Sequence, residues 1–204
     1  KKHGSLKIDK DLLDEVWTDR PALVHQPADV LKDEFNGEAT ASKLARVREQ
    51  MEKEEAQYHI ISTLDDIAWI LNVRGNDIPH VPVVLSFLVI GKEDAMWFVE
   101  ENALSDAVKE MAAECGITIR PYEDVYAYAA TIPEHSTVLL DKRKVNYRIT
   151  NALSETVHIV SKANPSQLMK AIKNEIELEN TRKAHLLDGI AVTKFMYWLK
   201  KNVG

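Results

Sequence analysis

The sequence predicts an α/β fold, a mixed β-sheet flanked by helices. Three observations carry this. Apolar runs of strand length alternate with helical periodicities from about residue 57 to 162, the pattern of strands joined by crossover helices. The turn Gly91-Lys92-Glu93-Asp94 separates two apolar runs closely enough for an antiparallel hairpin. Leu104, Val108, Met111 and Cys115 recur at i, i+4, i+7 and i+11 ahead of Gly116, marking an amphipathic helix over 103–115 closed by a C′ glycine.

Residues 1–40 read as a connector: Leu12, Leu13, Val16 and Trp17 make one short helical turn set, and Pro21, Pro27 and Gly37 punctuate the rest. Thr40 is placed to cap a helix carrying Leu44, Val47 and Met51 at i, i+3 and i+7, which should end near Ala56. Residues 58–62 then read as a strand, 63–72 as a helix, and 83–90 with 96–99 as the hairpin. Three further strands, at 117–120, 138–141 and 157–160, each follow a helical stretch, and such crossovers favour parallel pairing. After Asn164-Pro165, one long charged helix is expected from about Ser166 to Trp198. Its stripe of Ile176, Leu186, Ile190, Phe195 and Trp198 asks for cover from a second domain downstream.

Composition narrows the function. The 204 residues, 45% hydrophobic and 28% charged, allow one full domain plus pieces of others. A single cysteine, Cys115, forbids a disulfide framework within the chain and suits a reducing compartment, so a cytoplasmic location is expected. No run approaches the roughly 18 apolar residues of a membrane span, and the polar opening Lys1-Lys2-His3-Gly4-Ser5 has no signal-peptide core behind it. With a net charge of −6 and acids and bases interleaved, there is no basic stripe to hold a nucleic acid.

Few residues suggest chemistry. Thr63 and Asp66 fit a capping box; alternatively Asp65 or Asp66 projects into a cleft and meets a ligand amine. Trp69 and Ile70 lie one turn along, where a large aromatic serves a core or a ligand stack. Arg74-Gly75-Asn76-Asp77 should leave the helix through its glycine into the proline-bracketed loop 78–82, a rigid candidate for a cleft wall. In that loop His80 could titrate or donate to a substrate carbonyl, or be a plain polar residue, since no base or nucleophile partners it in the sequence. Glu175, Glu177, Glu179, His185 and Asp188 match no metal-ligand spacing and read as a solvated helix face. A magnesium-binding acidic site of ribonuclease-H type, from Asp65, Asp66, Asp77 or Asp94, would need a nucleic-acid surface that the composition lacks. There is no Gly-rich phosphate loop, nucleophile elbow or Cys–His pair.

The run from Thr63 to Val83 closely resembles the middle domain of the large three-domain Xaa-Pro aminopeptidases, aminopeptidase P, of the creatinase and prolidase superfamily. Leu13-Asp14-Glu15-Val16-Trp17 with Asp19-Arg20-Pro21 resembles that family's linker out of its first domain, and Gly37 with Ser42-Lys43-Leu44-Ala45-Arg46 its way into the middle one. Lys173-Asn174-Glu175 with Arg182-Lys183-Ala184-His185 resembles the helix that opens the pita-bread catalytic domain. One departure is Val81, where the family often has Asn.

The resemblance implies a creatinase/prolidase N-terminal-like fold with a ribonuclease-H-like motif. It implies three parts: 1–56 as linker and first-domain remnant with an entry helix, 57–162 as middle domain, and 163–204 as the start of the catalytic domain. The parent would be a homodimeric metallopeptidase that cuts between an N-terminal residue and a following proline, using two divalent ions, usually manganese. The metal ligands would lie beyond Gly204, so the resemblance places no catalytic residue, metal or cofactor in this chain and makes it inactive alone. Asp66, Trp69, Arg74 and His80 become candidates for residues near the substrate cleft, shaping access. The competing reading is a peptide- or protein-binding module from a metal-free pita-bread relative.

Overall fold

A computed structural model describes residues 12–203 other than 22 and 24; the opening segment 1–5 and Gly204 lie outside the described residues. In chain order the elements are α1 (Leu13–Val16), β1 (Asp29–Val30), α2 (Asp33–Asn36), α3 (Thr40–Lys53), β2 (Tyr58–Ile61), α4 (Leu64–Ile70) and β3 (Val73–Arg74). Then come β4 (Ser86–Gly91), β5 (Ala95–Val99), α5 (Asp106–Glu114), β6 (Ile117–Arg120), α6 (Asp124–Thr131), β7 (Thr137–Leu140), α7 (Tyr147–Ala152), β8 (His158–Ser161), α8 (Pro165–Ala171) and α9 (Glu175–Asn202).

Six strands form one mixed sheet in the order β6-β5-β4-β2-β7-β8. The β4–β5 hairpin and the β2–β4 pair are antiparallel, and the three outer pairs are parallel, as crossover connections require. Every residue of β4 is buried, because helices cover both faces of the sheet. The two-residue period of the strands sorts the core into two layers. Leu88, Ile90, Ile61 and Trp97 pack with Leu44, Val47 and Met51 of α3, Ile67 and Ile70 of α4, and Val108 of α5. Phe87, Val89, Ile60 and Phe98 face Val125 and Ala129 of α6 and Ile149 of α7. Each fully buried aliphatic chain stabilises the fold by about 1.5–3 kcal/mol relative to exposure. In the central strand the buried His59 donates from Nδ1 to Leu139 O at 2.9 Å, tying β2 to β7. Burial lowers its pKa to about 4, so the ring is neutral.

Five expectations are corrected. The stretch before Thr40 is not all irregular: β1 pairs antiparallel with β3, Asp29 opposite Arg74, and Ala28 is buried in the core. Thr40 is the first residue of α3 rather than its cap; Ala39 occupies the cap position, and the Thr40 hydroxyl instead donates to Leu71 O at 3.0 Å. That helix stops at Lys53, short of Ala56, where Glu55 turns the chain with φ of 53°. Its apolar face lies in the sheet's own core. The chain leaves α4 at Asn72, with φ of 52°, and not at Gly75; asparagine is among the few side chains that tolerate this conformation.

The fifth correction concerns the end of the chain. One helix from 166 is in fact two, α8 and α9, broken at 172–174. The break has a local cause. Asn174 Oδ1 accepts from Glu177 N at 2.9 Å and Glu177 Oε2 accepts from Asn174 N at 2.9 Å, a complete capping box that starts a new helix.

Candidate functional site

At the start of α4 the Thr63 side chain does not cap the helix, correcting the capping box expected there. Its hydroxyl donates to Asp66 Oδ2 at 2.5 Å. The Asp66 carboxylate, with no solvent exposure, also accepts from Asn164 Nδ2 at 3.1 Å and from Lys170 Nζ at 3.0 Å. Lys170 donates to Asp65 as well. Burial works against the Lys170 charge, yet its bonds to Asp65 and Asp66 raise its pKa overall. Asp66 is thus consumed in fastening α8 onto α4, since three groups from two helices share one carboxylate.

A second cluster fastens α9. Lys43, on the inner face of α3, is 1% exposed. Its ammonium donates to Trp69 O at 2.9 Å and Asn72 Oδ1 at 2.6 Å, and lies 4.4 Å from the centre of the Trp69 ring. Burial lowers its pKa to about 8, opposed by the charges of Glu177 and Glu38. Trp69, itself buried, donates from its indole to Glu177 Oε1 at 3.2 Å. Asn174 Nδ2 donates to Asn36 O at 2.8 Å and Asn180 Nδ2 to Glu34 O at 2.8 Å. Gly37, in the left-handed region with φ of 64°, lets α9 come this close: a Cβ there would lie 2.7 Å from Asn174 Oδ1 and 2.9 Å from Ile176 Cβ.

Between these clusters runs an open groove of about 480 Å³ whose lining includes Phe35, Trp69, Arg74, Pro82, Lys173 and Glu177. Arg74 donates to Ala68 O at 2.6 Å and Val73 O at 3.0 Å. Burial lowers its pKa and Glu177 raises it, the net shift being downward. The 78–82 loop is pinned at its base: Asp77 accepts from Gln26 N at 2.6 Å and Leu85 N at 2.8 Å, and Val81 N donates to Ile78 O at 3.0 Å. So Trp69 and Arg74 share one groove and Asp66 lies buried beside its Asp65–Lys170 edge, whereas His80 is exposed, has φ of 66° and is not among the lining residues.

The acidic residues do not converge. Asp77 holds the loop, and Asp94 sits in the hairpin turn, where its carbonyl accepts from Arg48 at 2.9 Å. Among the described residues no three His, Cys, Asp or Glu side chains come together to hold a metal ion, which removes the ribonuclease-H-type reading. Nor is any described helix long and apolar enough to cross a membrane.

Sequence reasoning missed Lys43, Lys170, Asn164 and the role of Glu177. Two signals were available. Lys43 falls on the apolar face with Thr40, Leu44 and Val47 at helical spacing, and Asn174 precedes Glu177 by the three residues of a capping box. Nothing local marks Lys170 or Asn164.

A six-stranded mixed sheet with helices on both faces puts the chain among three-layer α/β domains. Within that class it belongs to the creatinase/prolidase family: the family of the Creatinase/Prolidase N-terminal domain matches residues 19–177. The chain is 37% identical to a probable Xaa-Pro aminopeptidase P of Neurospora crassa over 98% of its own length and 31% of the relative's. It is 33% identical to Xaa-Pro aminopeptidase 1 of Dictyostelium discoideum, covering 97% of this chain and 33% of that protein. Its structure is similar to the X-prolyl aminopeptidase of Caenorhabditis elegans, described as a cytosolic enzyme with a di-nuclear active site. The TM-score is 0.87 and the identity 30%, over 97% of this chain and 33% of that one. The chain spans about a third of the length of the relatives it matches.

Proposed function

We propose that this chain is the non-catalytic portion of a metal-dependent Xaa-Pro aminopeptidase, which hydrolyses the bond between an N-terminal residue and a following proline. The observation that carries the reading is similarity along nearly the whole chain to proteins named for that activity, each about three times its length. In this reading residues 1–56 are the linker and first-domain remnant with the entry helix α3, 57–162 are the middle domain, and 163–204 open the catalytic one. The two divalent ions, manganese by preference, belong to that catalytic domain; no cluster among the described residues fits them. They would supply a hydroxide and polarise the scissile carbonyl. In this account the parent is a homodimer, and it is cytoplasmic, as the reducing-compartment composition and the cytosolic relative suggest.

The part played by this chain is to shape access. The groove supports it, with apolar Phe35 and Trp69, cations at Arg74, Lys170 and Lys173, and Val81 and Pro82 of the pinned loop in its lining. Asp66 acts from below by holding α8. A photo-reactive peptide with proline in second position, bound to the full-length protein, tests this. Labelling within residues 68–83 or 170–184 is expected; labelling that spares this chain altogether would remove the access role.

A further inference from the structure

We infer that Trp69, Glu177 and Asn174 form a rigid joint that sets the direction in which α9 leaves the domain, making them positioning residues. The inference deepens the reading above, since in that reading α9 leads to the catalytic domain. It rests on how unevenly α9 is held. Its first two turns are tied at three points on two elements: to α4 through the Trp69 indole, and to α2 through Asn36 O and through Glu34 O, which Asn180 reaches. Gly37 closes the contact from beneath. From residue 182 to 198 every residue is exposed. A 28-residue helix is about 42 Å long at 1.5 Å per residue, so a tilt of about 10° at its base swings the far end by about 7 Å. Among the contacts this chain itself makes, the base therefore decides the orientation.

Glu177 is the centre of the joint because its two oxygens do different work. Oε2 closes the helix's own cap, which any capping box would do, while Oε1 receives the Trp69 indole from another element. The indole is held in turn: Lys43 lies over its ring, and Lys43 also binds the backbone of the same residue and Asn72, whose Nδ2 donates to Glu38 O at 2.8 Å. A ring clamped on its face cannot turn its N–H away from Glu177. The joint thus transmits the position of the sheet's core to the helix rather than merely capping it.

Trp69→Phe separates the two roles, for it keeps the ring and the cap but deletes the N–H donor. Spin labels at Glu110→Cys on α5 and Lys194→Cys on α9, both exposed and in a Cys115→Ser background, report the angle by pulsed dipolar spectroscopy. The expected result is one narrow distance distribution in the parent chain and a distribution broadened by about 5 Å or more in Trp69→Phe, with the unfolding midpoint of the sheet little changed. Asn174→Asp is the second variant, since it retains a cap acceptor and loses the donation to Asn36 O; it should broaden the distribution too, and it decides the matter if Trp69→Phe does not fold. Distributions as narrow as the parent's in the folded variants would overturn the joint. A full-length protein without Xaa-Pro hydrolysis would instead overturn the functional reading and leave the spectroscopic result standing.

Discussion

Replacing Lys43 with methionine changes how the stability of this chain depends on pH. The ammonium is 1% exposed, and burial lowers its pKa from 10.5 to about 8, Glu177 and Glu38 acting in the opposite direction. In the unfolded chain the group keeps its ordinary value. Below about pH 8 both states are protonated and the cost of burying the charge is constant; between about 8 and 10.5 the unfolded state binds more protons, so stability rises with pH. Methionine fills a similar volume and does not titrate. From roughly pH 7 to pH 9.5 the parent chain should gain on Lys43→Met by about 2 kcal/mol from the pKa difference alone. Screening by solvent trims this to about 1–2 kcal/mol. Urea unfolding of both proteins, followed by tryptophan fluorescence across that range, isolates the effect because other titrating groups cancel in the difference. A difference that stays flat, or falls as pH rises, refutes a buried cation at this site.

Gly37→Ala must shift Asn174 or Ile176 and adopt a disfavoured backbone conformation, so about 1–3 kcal/mol of stability should be lost, read as a lower urea midpoint; an unchanged midpoint would show that α9 does not lie against Gly37. Asp66→Asn leaves Lys170 with one carboxylate partner and weakens three hydrogen bonds; a cost of about 2–3 kcal/mol lowers Tm by about 5–10 °C for a chain of this size, measured by circular dichroism. His59, held neutral by burial with its pKa near 4, gives stability that is present above its unfolded value near 6.5 and is withdrawn as pH falls towards 4, by up to about 3 kcal/mol; His59→Gln should flatten that acid limb.

Most of the sheet was legible in the sequence because strand periodicity and turn residues are local properties. Gly91 to Asp94 separates the hairpin strands, Gly116 ends α5 with φ of 67°, and β6 starts directly after it. The β1–β3 pair was not legible, since two residues per strand carry no period and their pairing joins positions far apart in the chain. The break before α9 was written in Asn174 and Glu177 but masked by the continuous charged, helix-favouring residues on both sides. For the site, Trp69 and Arg74 could be picked out from composition and position, and they do share a groove. What escaped was the joining of Lys43 to Trp69 and of Lys170 to Asp66, contacts between elements 26 and 104 residues apart. Those depend on the fold as a whole.

The measurement that bears most directly on the account is hydrolysis by the full-length protein of two peptides that differ only in second position, proline against alanine, with manganese and then with a chelator. Release of the first residue from the proline peptide alone, abolished by the chelator and restored by manganese, is the predicted result. Equal cleavage of both peptides, or none of either with the metal present, would contradict it.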